Sequence, residues 1–293
     1  MDFRFVYPEQ TCPDKKQLQP ASYLRKTFVL DAPVLQATLH MTALGVYQGY
    51  CNGEKLDDSL FNPGFTEYHS RVQYQTYDIT ERLRVGTNVI AAVLGDGWYR
   101  GCLSINNNRC FFGRRIAFAC VLELRDASGT HILFTDESWL ATQDGPVCKN
   151  DMKTLEQVDA RKELTGWTSP DFNDSDWHPC VKGSYKGCVI PQEGERITEH
   201  EVFSPVLLHA PNGETVLDFR QNHAGYPAFT VTGNAGHTVT LTMSETLDEN
   251  GNFTMKNLVT EGSESFAKPV GQQLIYTLRA GTQTYKPQFL IAG

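Results

Sequence analysis

Ala37-Thr38-Leu39-His40-Met41-Thr42-Ala43 alternates apolar and polar side chains, and that period of two decides between strand and helix. Leu39, Met41 and Ala43 fall on one face of a strand, and Thr38, His40 and Thr42 on the other. A helix would scatter the same residues around its axis. Asn52-Gly53 follows shortly after, a dipeptide suited to a tight hairpin because both positions tolerate positive φ.

Outward from this stretch the pattern persists. Val89-Ile90-Ala91-Ala92-Val93-Leu94 is a continuous apolar run of strand length, which predicts a strand buried on both faces. Before it, Thr80 is placed to cap one short helical turn that Gly86 ends. Strand signals continue over residues 116–124 and 131–134, around a Ser128-Gly129 turn. The stretch 149–189 has weak periodicity and reads as long loops wrapped over a sheet, with Trp139, Trp167 and Trp177 in or near it. Residues 191–195 read as a linker. Beyond it strands are predicted over 216–219, 229–232, 238–243, 273–278 and 285–291.

Many short strands with Gly and Asn turns, in two blocks, predict an all-β chain of two antiparallel β-sandwich domains. The expected division is an N-terminal extension over 1–22, a first sandwich over 23–190 and a second over 191–293.

Composition narrows the function classes. With 40% hydrophobic and 20% charged residues over 293 positions, the chain is equipped to bury a core. A net charge of -8 without a Lys/Arg cluster argues against nucleic acid as a partner. No apolar segment approaches the length of a membrane span, and Met1-Asp2-Phe3-Arg4-Phe5-Val6 has no apolar leader core, so the expected location is cytoplasmic, without a membrane partner. The eight cysteines form no C-x-x-C pair, which favours free thiols in a reducing compartment. No Gly-x-Ser-x-Gly, phosphate-binding loop or dinucleotide fingerprint is present.

Several motifs together resemble one family. Asn62-Pro63-Gly64-Phe65-Thr66-Glu67-Tyr68 and Tyr77-Asp78-Ile79-Thr80 are similar to the N-terminal module of bacterial α-L-rhamnosidases, and the resemblance is strongest at Leu94-Gly95-Asp96-Gly97-Trp98-Tyr99-Arg100-Gly101. Asp159-Ala160-Arg161, Gly166-Trp167 and Asp174-Ser175-Asp176-Trp177 extend it. Asp218-Phe219-Arg220-Gln221-Asn222 and Tyr285-Lys286-Pro287-Gln288-Phe289 resemble the β-sandwich that follows in that family.

The resemblance implies jelly-roll, galactose-binding-like sandwiches that support a catalytic (α/α)6 barrel in the full-length protein. It also implies that catalysis resides in acidic residues of that barrel. The barrel's Arg-Asp-Glu-Arg signature does not occur here, so no catalytic residue is assigned. The sequence stops at Phe289-Leu290-Ile291-Ala292-Gly293, where family members continue the same strand; a strand cut there would favour self-association through an unpaired edge.

Two sets of candidate binding residues stand out. Asp96, Trp98, Tyr99 and Arg100 combine a carboxylate, aromatic faces and a cation, a set suited to carbohydrate; the competing reading is a turn whose tryptophan plugs the sandwich. Asp58 and Asn107, with Asp57 beside the first, are hard oxygen ligands, and the resemblance implies a calcium ion there holding a terminal rhamnose. On that reading the chain is a calcium-dependent, lectin-like module for rhamnose-containing glycans or glycosides. Glu245, after an alternating strand, is a further carboxylate of interest. Arg220 stands where the family usually has glycine, which would strain the turn if the position needs positive φ.

Overall fold

The computed structural model describes residues 1–15, 17–103, 108–258 and 272–292. Two large sheets form the first sandwich. One runs in the order Val181–Lys182, Val6–Tyr7, Ala117–Asp126, Gln36–Leu44, Arg71–Asp78, Cys188–Pro191, with Gly129–Phe134 also paired to Ala117–Asp126. The other runs His178–Pro179, Leu140–Thr142, Ser22–Leu30, Gly86–Gly95, Val46–Cys51, Glu54–Lys55. The all-β expectation therefore holds, and most pairings are antiparallel.

The alternating stretch lies in strand Gln36–Leu44, paired from Gln36↔Arg125 to Leu44↔Ala117. Leu39, Met41 and Ala43 are fully buried in the core between the sheets. The polar face is covered as well. Thr42 donates its hydroxyl to the Gln73 carbonyl at 2.6 Å, and His40 Nδ1 lies 2.9 Å from Thr76 Oγ1. A second apolar cluster of Phe5, Leu44, Tyr68, Val72, Ala117 and Ala119 lies outside this core, so the N-terminal extension covers apolar surface beside it.

The apolar run Val89–Leu94 is buried on both faces, as expected. Ile90, Ala92 and Leu94 join the core of the first sandwich, whereas Val93 packs in a cluster with Tyr23, Leu274, Tyr276 and Phe289. The strand lacks a polar side because it lies between the first core and the second block. At Asn52-Gly53 the predicted hairpin turn forms, with φ of 48° and 94° and Cys51 opposite Glu54. The short turn after Asp78 is a 3-10 helix over Thr80–Arg82. No side chain caps it: Thr80 donates its N–H and its hydroxyl to Asp78 Oδ1 and accepts the Ala37 N–H, and the turn ends at Leu83, before Gly86.

Two expectations need correction. Within residues 149–189, the stretch is not all loop: Val147–Asp151 and Leu155–Asp159 form an antiparallel hairpin. Leu155–Asp159 then pairs in parallel with Gln272–Thr277, which pairs with Thr238–Met243, so the two blocks share one sheet. Residues 191–195, expected as the linker, begin along the first sandwich, where Gln192 N donates to Tyr74 O and Glu193 N to Gln73 Oε1. The last predicted strand, 285–291, is displaced. Strand Gly281–Tyr285 ends where it was expected to begin, because the N–H groups of Gln288 and Phe289 turn to the Glu156 carboxylate.

Candidate functional site

The motif of strongest resemblance begins as strand Gly86–Gly95 ends. One helical turn, Gly97–Arg100, follows at once. Gly97 has φ 51°, and a Cβ there would lie 2.5 Å from Val46 Cγ1, so conformation and close packing both demand glycine. The tight turn carries Asp96 and Arg100 inward, to 0% and 1% exposure.

Inside, the two residues organise an ion network. Arg100 Nε donates to Asp96 Oδ1 at 2.8 Å, and Arg109 Nη2 donates to Asp96 Oδ2 at 2.5 Å. Arg100 Nη1 also donates to Glu9 of the N-terminal extension. Arg109 Nε lies 3.6 Å from Asp151, whose Oδ2 accepts the Cys102 N–H at 2.8 Å. Asp96 N donates to Asn150 Oδ1 at 2.6 Å, and Asn150 Nδ2 donates to Gln19 O at 3.0 Å. Further along the extension, Gln17 O accepts from Arg109, Pro13 O from Arg114 and Glu9 O from Arg115.

Burial pushes the Asp96 carboxyl upward, while Arg100 and Arg109 pull it back. Burial likewise raises Glu9 against the opposing pull of Arg100. For Arg100 desolvation works against the charge, and Asp96 and Glu9 more than offset it, so the guanidinium is held protonated. Such a network contributes little net stability compared with apolar packing, but losing one member leaves a buried charge alone.

Trp98 and Tyr99, the other two residues of the set, turn away from these charges. Trp98 packs edge-on to Phe61 and Phe65, with centroids 6.2 and 6.0 Å apart, and Tyr99 packs on Tyr68 at 5.4 Å. Phe65 and Phe111 leave 55% and 60% of their surface exposed beside this cluster. The sequence brought Asp96 and Arg100 together with Trp98 and Tyr99 on one segment; the fold separates them into an inner charged pair and an outer aromatic group.

Asp58 is exposed, and its neighbour Asp57 is engaged by Arg196 and by Ser59. Asn107 lies outside the described residues. Among the described residues no three His, Cys, Asp or Glu side chains gather to hold a metal. Glu245 is exposed beyond strand Thr238–Met243. No described helix is long and apolar enough to cross a membrane.

Sequence reasoning missed Glu9, Arg109, Asp151 and Glu156. Each comes from a different segment, and no local spacing links them to the Asp96 motif. The one available signal was a carboxylate inside the otherwise apolar extension Phe5-Val6-Tyr7-Pro8-Glu9.

Residues 32–201 match the α-L-rhamnosidase N-terminal domain, and residues 208–293 match the bacterial α-L-rhamnosidase concanavalin-like domain. The chain belongs to the bacterial α-L-rhamnosidase family. An α-L-rhamnosidase of Streptomyces avermitilis is 34% identical over 279 residues, covering 93% of this chain but 26% of that protein. The crystal structure of the Streptomyces avermitilis α-L-rhamnosidase complexed with L-rhamnose superposes with a TM-score of 0.81 at 33% identity, over 94% of this chain and 26% of the other. The α-L-rhamnosidase of Aspergillus terreus superposes with a TM-score of 0.89 at 26% identity, over all of this chain and 33% of its own. The rhamnosidase-family chain thus spans 26% to 30% of the length of the curated relatives it matches.

Proposed function

We propose that these residues are the non-catalytic N-terminal portion of an α-L-rhamnosidase, a scaffold for the catalytic part that hydrolyses terminal α-L-rhamnosides. The carrying observation is the tandem match to two family domains across nearly the whole chain, combined with the small share of each relative that it spans.

Four buried carboxylates are consistent with this reading. Glycoside hydrolysis needs two carboxyl groups facing each other across a sugar site, about 5–9.5 Å apart. Here Glu9, Asp96 and Asp151 meet arginines inside the fold, and Glu156 meets a tyrosine and backbone amides. None of the four offers a carboxyl group to an open cleft.

The test is to incubate the purified chain with an aryl α-L-rhamnoside. No hydrolysis is expected. Hydrolysis that persists at constant specific activity through further purification would overturn the proposal. Calorimetric titration with L-rhamnose, in calcium and then in chelator, tests the lectin-like alternative; calcium-dependent heat would replace the scaffold reading with it.

A further inference from the structure

Glu156 is a fully buried carboxylate with no role in the function proposed above. It lies on strand Leu155–Asp159, yet its partners come from the far end of the chain. Oε1 accepts from the Tyr285 hydroxyl at 2.5 Å and from Gln288 N at 3.0 Å, and Oε2 accepts from Phe289 N at 2.7 Å. Burial pushes this carboxyl up, and Tyr285 with the amides of Gln288, Phe289 and Leu290 pulls it back down. The Tyr285 hydroxyl is in turn raised by burial and by the carboxylate it faces. A buried carboxylate held, among the described residues, by a hydroxyl and backbone amides is costly unless those donors stay in place.

A second contact lies beside it. The Phe289 ring, 2% exposed, covers Gly95 so closely that a Cβ there would lie 2.4 Å from Cδ1 and 2.7 Å from Cγ. Gly95 ends strand Gly86–Gly95 without positive φ, so the close approach of the ring, and not backbone conformation, requires glycine. Ile291 N continues the attachment by donating to Met152 O at 2.9 Å.

We propose that Glu156 and Gly95 form a two-point latch that receives Tyr285, Gln288 and Phe289 and fixes the second β-region against the first sandwich. The two motifs it joins, Gly95-Asp96-Gly97-Trp98 and Tyr285-Lys286-Pro287-Gln288-Phe289, are far apart in sequence. The latch makes them the two halves of one contact. This inference stands independently of the proposed function, since its readouts require neither sugar nor catalysis.

Hydrogen exchange on the whole chain tests the first point. The amides of Gln288 and Phe289 should be protected, and Glu156→Gln, which offers an N–H₂ to groups that are themselves donors, should speed their exchange about tenfold or more. Amides of strand Gln36–Leu44 should be unchanged, which also reports that the variant is folded. A double-mutant cycle tests the second point and does not depend on that variant folding. Gly95→Ala should destabilise strongly with Phe289 present and far less in the Phe289→Ala background. Unprotected Gln288 and Phe289 amides in the parent chain, or strictly additive costs in the cycle, would overturn the latch.

Discussion

The first sandwich and the second β-region use similar apolar residues and reach opposite outcomes. In strand Gln36–Leu44 the residues Leu39 and Met41 are at 0% exposure, enclosed in the core between the two sheets. In the hairpin of Val206–His209 and Thr215–Asp218, Leu207 and Leu217 sit opposite each other and remain 55% and 46% exposed. Both faces of this hairpin carry apolar residues, as in strands that are covered on both sides. Among the described residues neither face is fully covered. The contrast teaches that burial depends on the layers around a strand; the sequence of the strand is insufficient. The first region supplies its own layers, and the second borrows from the first through the shared sheet and the packing of Val93 against Leu274 and Tyr276.

The largest expected effect tests whether the first region's interior is as closed as its exposure implies. Arg100→Ala leaves Glu9 and Asp96 buried without their main partner and should cost about 3–5 kcal/mol in urea unfolding. A cost below about 1 kcal/mol is what an exposed surface pair would give, and would place the network in solvent. Next comes the direct contrast. Leu39→Ala should lose about 2–5 kcal/mol, and Leu217→Ala about 0.5 kcal/mol or less. Equal losses would break the comparison, since Leu217 would then be packed as deeply as Leu39.

The same contrast explains what was legible in sequence. Period two at residues 37–43 and the apolar run at 89–94 reported strands, because side-chain alternation is a local property. Asn52-Gly53 reported its turn for the same reason. The hairpin of Val147–Asp159 is not legible locally, because its partner, Gln272–Thr277, lies more than a hundred residues later and pairs in parallel. In the candidate site, Asp96 and Arg100 were visible as a short motif. Their direction was not, because it is set by Glu9 and Arg109 from other segments.

A smaller effect, of opposite sign, belongs to the second region. Arg220 adopts φ 62°, the left-handed conformation that a glycine would occupy without strain, and its N–H is held by Asp218 Oδ1 at 2.7 Å. The turn is thus kept and the strain accepted. Arg220→Gly should raise the unfolding free energy by about 0.5–1 kcal/mol, the steric relief less the added freedom of glycine in the unfolded chain. A loss of stability would mean that the Arg220 side chain makes a contact outweighing its backbone strain.

The smallest effect is a pH dependence confined to the first region. His40 is buried beside Thr76 and edge-on to Tyr74, and burial lowers its pKa below the ordinary 6.5 despite an opposing pull from Glu123. The folded state therefore binds this proton less readily than the unfolded state. Its contribution to stability is complete above pH 6.5 and is lost as pH falls through the lower folded value. Denaturant midpoints measured across that window should decline modestly in the parent chain and decline less in His40→Gln. An unchanged slope in the variant would mean that the imidazole is reached by water, and that the polar face of strand Gln36–Leu44 is less enclosed than its apolar face.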